Sequence, residues 1–185
     1  LGIGANTSIF SLIDALMLRP LPVPHPEHLV AIGDPRNTQR VSEGTPQVDI
    51  ISYPLYVDLR DQNHTLSGVY ASGRGGRLDA VIDQGAEPEH PRSRFVSGNF
   101  FTVLQVSAAA GRVFTNEDDP AVVISDGYWR RRFGASRDAI GRTITLNNVP
   151  VTIIGVTPRE FSGDAVGQPT ERWVPLKMQP QLIAH

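Results

Sequence analysis

Residues 1–18 form an apolar run that a series of prolines brings to an end. Pro20, Pro22, Pro24 and Pro26 stop a helix because proline lacks the backbone N–H and disfavours helical geometry in the residue before it. A membrane span needs about 20 predominantly apolar residues, so the run is borderline. It fits either the distal part of a spanning helix that continues into a stalk or an amphipathic helix docked on the domain.

Three serines, Ser52, Ser97 and Ser125, precede segments with helical apolar spacing, and each is predicted to be an N-cap. Gly111 and Gly134 are predicted to end the second and third helical units. The predicted buried residues are Leu55, Tyr56 and Leu59 in the first helix, Phe100, Phe101 and Leu104 in the second, and Trp129 and Phe133 in the third.

Short apolar or alternating segments between these helices predict strands. Residues 121–124 are continuously apolar, which is typical of a central strand covered on both faces. Alternating residues on either side of Asn147 and Asn148 predict a hairpin, because asparagine tolerates positive φ in a tight turn. Further strands are predicted at 29–33, 94–96 and 173–176, with one or two hairpins within 66–84 and a loop at 34–49. The pattern predicts an α+β fold.

Composition narrows the function classes. The 185 residues are 40% apolar and 19% charged, which is typical of a folded domain. A net charge of −2 gives no basic surface for nucleic acid, which we therefore exclude as a partner. The sequence contains no cysteine, so disulfides and thiolate sites are excluded. Because the chain starts at Leu1 inside an apolar run, we expect it to be a fragment of a longer protein.

The polar residues that catalysis would need are better explained by structure or solvation. Ser97 and Ser125 lack the G-x-S-x-G context of a nucleophile and are interpreted as caps. The histidines have no helical or hairpin pairing, so no metal site is assigned, although His25 and His28 could lie near one another on the surface. The five histidines are His25, His28, His64, His90 and His185.

Charged and glycine-rich segments carry no assigned chemistry either. Asp58 and Asp61, like the 117–119 acidic run, are expected to be solvated, and paired carboxylates act as acid and base only where burial separates their pKa values. The glycines at 2–6 only weakly resemble a phosphate-binding loop. The Arg130–Arg132 run suits a helix C-terminus or, as the alternative, a partner-docking surface. We predict no catalytic, cofactor-binding or metal-binding residues and no cofactor.

An ordered series of segments resembles the periplasmic core domain of MacB-like and FtsX-like ABC-transporter permeases. The segments are LGIGANTSIFSLIDALMLRPLPVPHPEHLV, SYPLYVDLRDQ, VSGNFFTVLQVSAAAGRVFTNEDD, AVVISDGYWRRRFGASRDAIGRTITLNNVPVTIIGV and ERWVPL. The resemblance implies a porter-like lobe of short helices on a mixed sheet, with a β-rich inserted lobe. Residues 1–26 would be a membrane-exit or stalk helix and linker. Residues 27–65 and 92–185 would form the porter-like lobe, and 66–91 part of the inserted lobe.

The same resemblance implies a function. The domain would not be an enzyme, and would face the periplasm from the bacterial inner membrane while a cytoplasmic ATPase domain or subunit drives the permease. It would transmit the ATP-driven conformational change to a periplasmic substrate or partner, such as an adaptor or lipoprotein. The alternatives are a free-standing periplasmic ligand-binding domain and, less favoured, a serine hydrolase.

Self-association is a further expectation. The resemblance would continue beyond His185 into another strand and helix, so a sheet edge would be left for a neighbouring chain or a loop to cover, and we predict dimerisation or strand exchange.

Overall fold

The structure is a computed structural model that describes residues 21–32, 41–42, 45–46, 52–82, 87–115, 120–165 and 169–183. The predicted helix at 1–18 lies outside these ranges. None of the helices within them has both the length and the apolar character needed to cross a membrane.

Short helices and a mixed sheet make up the described residues, which confirms the α+β class. The strands are β1 (Val41–Ser42), β2 (Thr45–Pro46), β3 (Ser72–Arg77), β4 (Ala80–Val81), β5 (Arg92–Val96), β6 (Ala110–Gly111), β7 (Ala121–Ile124), β8 (Thr143–Leu146), β9 (Val149–Val156) and β10 (Arg172–Pro175). The α-helices are α1 (Tyr53–Asp61), α2 (Phe100–Val103), α3 (Asp126–Phe133) and α4 (Gln179–Leu182). Single 3-10 turns lie at Pro26–His28, Arg137–Ala139 and Leu176–Met178.

Eight strands form one sheet in the order β3-β5-β10-β7-β9-β8-β4, with β6 added beside β9. β10 runs parallel to β5 and β7 runs parallel to β9, whereas the other pairs are antiparallel. The predicted central strand β7 is confirmed, since it lies between β10 and β9. Its side chains alternate, with Val122 and Ile124 in one core and Ala121 and Val123 in the other.

The sheet is strongly curled. β3 and β4 lie at opposite ends of its order, six strand spacings apart, which would be about 29 Å in a flat sheet. Only Leu78 and Asp79 separate these two strands in the chain, and the three steps from Arg77 to Ala80 reach at most about 11 Å. The two edges must therefore approach each other where this two-residue link crosses.

Two apolar cores lie on the two faces of the sheet. The first core contains the link residue Leu78 and Ala80 of the edge strand β4, together with side chains from β5, β7, β8, β9 and β10; the second lies under α2. The first core comprises Leu78, Ala80, Ile82, Phe95, Val122, Ile124, Tyr128, Ile144, Leu146, Val151, Ile153, Val156, Val174, Met178 and Leu182. The second comprises Val96, Phe100, Phe101, Leu104, Val106, Phe114, Ala121, Val123, Phe161 and Trp173.

The predicted hairpin at Asn147 and Asn148 is confirmed, with φ of 43° and 67°. Asn147 also fastens the link between the sheet edges. Its Oδ1 accepts from the backbone N–H of Asp79 at 2.7 Å, and its own N–H donates to the carbonyl of Asp79 at 2.9 Å. Its Nδ2 donates to the carbonyl of Leu182 at 2.7 Å, which ties α4 to the same turn.

Two of the three predicted N-caps are confirmed. Ser52 Oγ accepts from the N–H of Leu55, and Ser125 Oγ accepts from the N–H of Tyr128 at 3.1 Å. Gly134 ends α3 in the left-handed conformation, with φ of 56°, as predicted. In α1, Tyr56 is buried as predicted, whereas Leu55 is exposed and Leu59 is partly buried. In α3, Tyr128 is the buried aromatic residue, and Trp129 and Phe133 are only partly buried.

The prediction that Ser97 caps the second helix was wrong. The residue before α2 is Asn99, and its side chain makes no capping bond. Ser97 Oγ instead accepts from the N–H of Ala71 at 3.0 Å and donates to Asn99 Oδ1 at 2.7 Å. Ser97 is fully buried, and its hydroxyl bonds the segment that enters β3 and does not cap the helix. The burial predicted for Phe100, Phe101 and Leu104 is confirmed.

Several strand predictions also differ from the structure. Residues 29–32 form no strand, and Val30 is 73% exposed. The predicted hairpins within 66–84 are replaced by β3 and β4, which pair with β5 and β8 and not with each other. The loop predicted at 34–49 carries the short pair β1 and β2. Gly111, which was predicted to end the second helical unit, lies in β6 instead. Its φ is 71°, and a side chain at this position would collide with the backbone of β9. The assignment of residues 66–91 to an inserted lobe stays a prediction.

The link provides a stability test with a matched control. We expect Asn147→Gly to lower the free energy of unfolding by about 1–2 kcal/mol, because glycine keeps the positive φ but loses two side-chain hydrogen bonds. Asn148→Gly, at the exposed neighbouring turn position, should leave stability nearly unchanged. Urea denaturation measures both; equal effects would show that Asn147 acts only through its turn geometry.

Candidate functional site

The two serines weighed as nucleophiles have structural hydrogen-bond partners. Ser125 Oγ accepts from the N–H of Tyr128 as the cap of α3. Ser97 Oγ bonds Ala71 and Asn99. Both hydroxyls therefore bond to amide groups, and the structure does not bring them together with a histidine and a carboxylate within the described residues.

The four described histidines lie on the surface, with His25 and His28 beside one another. His25 and His28 flank Glu27 in a proline-rich turn, with side chains that are 55%, 73% and 63% exposed in the order His25, His28, Glu27. His90 Nδ1 lies 2.9 Å from Asp79 Oδ1, also at an exposed position. The surface location expected for His25 and His28 is therefore observed.

The acidic residues of α1 are solvated, as the sequence predicts. Asp58 and Asp61 are both exposed. Arg60 Nε donates to Asp61 Oδ1 at 2.8 Å, and this hydrogen bond lowers the pKa of the Asp61 carboxyl. His64 is exposed too. The glycines at 2–6, the acidic run at 117–119 and His185 lie outside the described residues.

The Arg130–Arg132 run does not act as one basic patch. Arg130 Nε pairs with Asp126 within α3 at 2.8 Å. Arg131 pairs with Glu171, just before β10, and the same carboxylate accepts from the backbone N–H of Arg92 at 2.9 Å. The third arginine, Arg132, pairs with Glu89, which is described below.

A fully buried arginine, Arg172, lies at the start of β10 and is the main polar feature of the fold. It shares the inner face of the strand with Val174 because alternate residues point to the same side. Its Nη2 donates to the carbonyl of Leu78 at 3.0 Å, to the carbonyl of Pro91 at 3.3 Å and to Ser93 Oγ at 3.0 Å. One guanidinium thus holds the link between the sheet edges against β5 and β10.

The environment of Arg172 is electrostatically costly. Burial lowers the pKa of its guanidinium, because removal from water disfavours the charged form. Its Nε and Nη1 have no hydrogen-bond partner among the described residues. The electrostatic influence of Tyr128, Glu89 and Glu171 acts in the opposite direction. An arginine held under these conditions needs nearby negative charge to remain stable.

Glu89 supplies that charge and joins the site to α3. The hydroxyl of Tyr128 donates to Glu89 Oε1, and Arg132 Nε lies 2.9 Å from Glu89 Oε2. Tyr128 is buried, and burial together with the bond to Glu89 raises the pKa of its phenol. We call Glu89, Ser93, Tyr128, Arg132 and Arg172 the Arg172 cluster.

The Arg172 cluster is suited to holding elements together and not to catalysis. Both carboxylate oxygens of Glu89 are engaged, one by Tyr128 and one by Arg132. The acceptors of Arg172 are two backbone carbonyls and a serine hydroxyl. These contacts join α3 to Glu89, and join β10 to Leu78 and to β5.

Sequence reasoning singled out neither Arg172 nor Glu89. A signal for Arg172 was present, because a charged residue stood directly before a short apolar strand and in phase with Val174. The contacts of Glu89 had no local signal, since Tyr128 and Arg132 lie about 40 residues away in the chain.

Comparison with known proteins places these observations in a family. The sequence model of the family described as MacB-like periplasmic core domain matches residues 1–184. A macrolide export ATP-binding/permease protein MacB from Chromobacterium violaceum is 30% identical over 112 residues, which are 54% of this chain and 17% of the relative. A protein of the same name from Burkholderia pseudomallei is 25% identical over 169 residues, 80% of this chain and 26% of the relative.

A solved structure has the same fold. The periplasmic region of MacB from Actinobacillus actinomycetemcomitans superimposes with a TM-score of 0.58 and 16% identity, over 78% of this chain and 65% of that one. The chain therefore spans a minor part of its curated relatives and a larger part of this solved periplasmic region.

The Arg172 cluster generates a second stability prediction. We expect Arg172→Met to lower the free energy of unfolding by about 3 kcal/mol, because methionine removes the guanidinium donor from the Leu78 carbonyl and leaves Glu89 less compensated. Arg137→Met, at an exposed position, should change it by less than about 0.5 kcal/mol. Chemical denaturation gives both values. An Arg172→Met protein as stable as the parent would contradict a stabilising role for the guanidinium.

Proposed function

Because this chain belongs to the family of MacB-like periplasmic core domains, we propose that it transmits an ATP-driven conformational change from a permease to a periplasmic substrate or partner protein. The family is a transporter-permease domain and not an enzyme family. Curated relatives are named as ATP-binding/permease proteins, which supports an ATPase component elsewhere in the parent protein.

The observation that carries the proposal is the bridging of the sheet edges by the Arg172 cluster. A domain that transmits movement must resist deformation between the surface that is driven and the surface that acts. Here α3 is joined through Arg132 to Glu89, and β10 is joined through Arg172 to Leu78. A displacement of one element is therefore passed to the others instead of being absorbed between them.

The setting of the parent protein belongs to the same proposal. The family's periplasmic description supports a parent in the bacterial inner membrane with this domain on the periplasmic side. Its partners there would be an adaptor or a lipoprotein. α1 offers contact surface of suitable character, since Tyr53 and Leu55 are 42% and 45% exposed.

Two arginines on the same helix provide a test of coupling. In the full-length permease, we expect Arg132→Gln to lower export severalfold while ATP hydrolysis continues, because the ion pair between α3 and Glu89 is lost. Arg130→Gln is the matched control, since Arg130 pairs with Asp126 inside α3 and joins no second element. Export and ATPase rates measured in the same vesicles decide the matter.

The two outcomes separate clearly. Export per ATP that falls with Arg132→Gln and not with Arg130→Gln supports transmission through Glu89. Equal export in both variants would count against it, provided both are present in the membrane at parental levels.

We also propose that the domain self-associates. Among the described strands, β3 pairs with β5 alone and ends the strand order of the main sheet, so its other side is the proposed place for a strand from a second copy. Light scattering over a concentration series should show a monomer converting to a dimer. A purely monomeric protein at the highest concentration would refute this proposal while leaving force transmission untouched.

A further inference from the structure

The surface turn at residues 24–29 brings three side chains with metal-ligating atoms together. Pro26–His28 forms a 3-10 turn, closed by bonds from the N–H of His28 to the His25 carbonyl at 3.1 Å and from the N–H of Leu29 to the Pro26 carbonyl at 3.2 Å. The rings of His25 and His28 stack with centroids 5.1 Å apart and planes inclined by 16°. The turn thus directs both imidazoles to the same side.

The carboxylate between them completes the group. Glu27 Oε1 lies 3.4 Å from His25 Nδ1 and 3.8 Å from His28 Nε2. One ligand atom from each of His25, Glu27 and His28 lies within 4.8 Å of the other two. From these contacts we propose that the three residues form a surface site for a divalent transition-metal ion such as Zn²⁺.

The spacing suits such an ion. Zinc binds imidazole nitrogen and carboxylate oxygen at about 2.0–2.2 Å, so two ligand atoms on one tetrahedral ion lie roughly 3.3–3.5 Å apart. The His25–Glu27 distance already has this value, and the other pairs need only a small rotation of exposed side chains. Water would occupy the remaining coordination position of an exposed site.

The chain around the turn reduces the cost of ordering the ligands. Pro24 and Pro26 each have a fixed φ, so less backbone freedom is lost on binding. Val23 and Leu29, on either side, are partly buried against the second core, which anchors both ends of the segment. A bound ion would therefore fasten the turn that leads from the N-terminal segment onto the folded domain.

The charge of the group is also favourable. Glu27 is exposed, and a glutamate carboxylate in water is ionised at neutral pH, so it offers a charged oxygen ligand. Two imidazoles and one carboxylate form a ligand set that zinc, nickel and copper accept. The sequence contains no cysteine that could compete for these ions.

Calorimetric titration of the tag-free chain with Zn²⁺ tests the site. We expect binding of one ion, weakened at least about tenfold by His25→Ala or His28→Ala, because even the loss of a side chain that only supports a ligand costs that much. Glu27→Gln should weaken it as well. The matched control is the double variant His64→Ala, His90→Ala, which removes two other exposed histidines and should bind like the parent.

A spectroscopic measurement identifies the ligands independently. Electron paramagnetic resonance with Cu²⁺ should show coupling to imidazole nitrogen in the parent chain and its loss in the double variant His25→Ala, His28→Ala. Absence of zinc binding, equal weakening in the His64 and His90 control, or a copper signal unchanged in the double variant would each overturn the proposal.

Discussion

The curled sheet depends on one buried hydrogen-bonding group, the guanidinium of Arg172. β3 and β4 are joined by only two residues although they lie at opposite ends of the sheet, and the first of these residues, Leu78, is buried in the first core. An unpaired carbonyl in such a place costs about 1–3 kcal/mol. Arg172 donates to the carbonyl of Leu78 inside, and Asn147 bonds the neighbouring Asp79 from the hairpin turn.

The same arrangement explains why polar groups are concentrated where they are. A buried guanidinium requires negative charge nearby, and Glu89 provides it while remaining bonded to Tyr128 and Arg132 of α3. The helix is thereby fixed to residues that lie about 40 positions earlier in the chain. The Arg172 cluster thus stabilises the fold, and in the proposed function the same contacts would carry movement between the elements they join.

The turn at His25 and the Arg172 cluster illustrate two kinds of polar assembly. The first is exposed and local, made by residues three positions apart on a proline-fixed segment, so its side chains can rearrange around a ligand. The second is buried and long-range: both carboxylate oxygens of Glu89 are bonded within the cluster, whereas Nε and Nη1 of Arg172 have no hydrogen-bond partner among the described residues. The first offers ligand atoms for a cation, whereas the second joins elements that are distant in the chain.

Local patterns in the sequence determined the elements whose cause is local. The continuously apolar β7, the cap at Ser125, the stop at Gly134 and the turn at Asn147 all follow from side-chain preferences over a few residues. Pairing over long distances was decided by the tertiary structure. Because β3 and β4 are adjacent in the chain, the sequence predicted a hairpin in this segment. In the structure they lie at opposite sheet edges, where Leu78 between them is buried and its carbonyl accepts from Arg172. Ser97 likewise had the sequence features of a helix cap. In the structure its hydroxyl accepts a hydrogen bond from the N–H of Ala71, because a buried N–H must find an acceptor wherever the fold provides one.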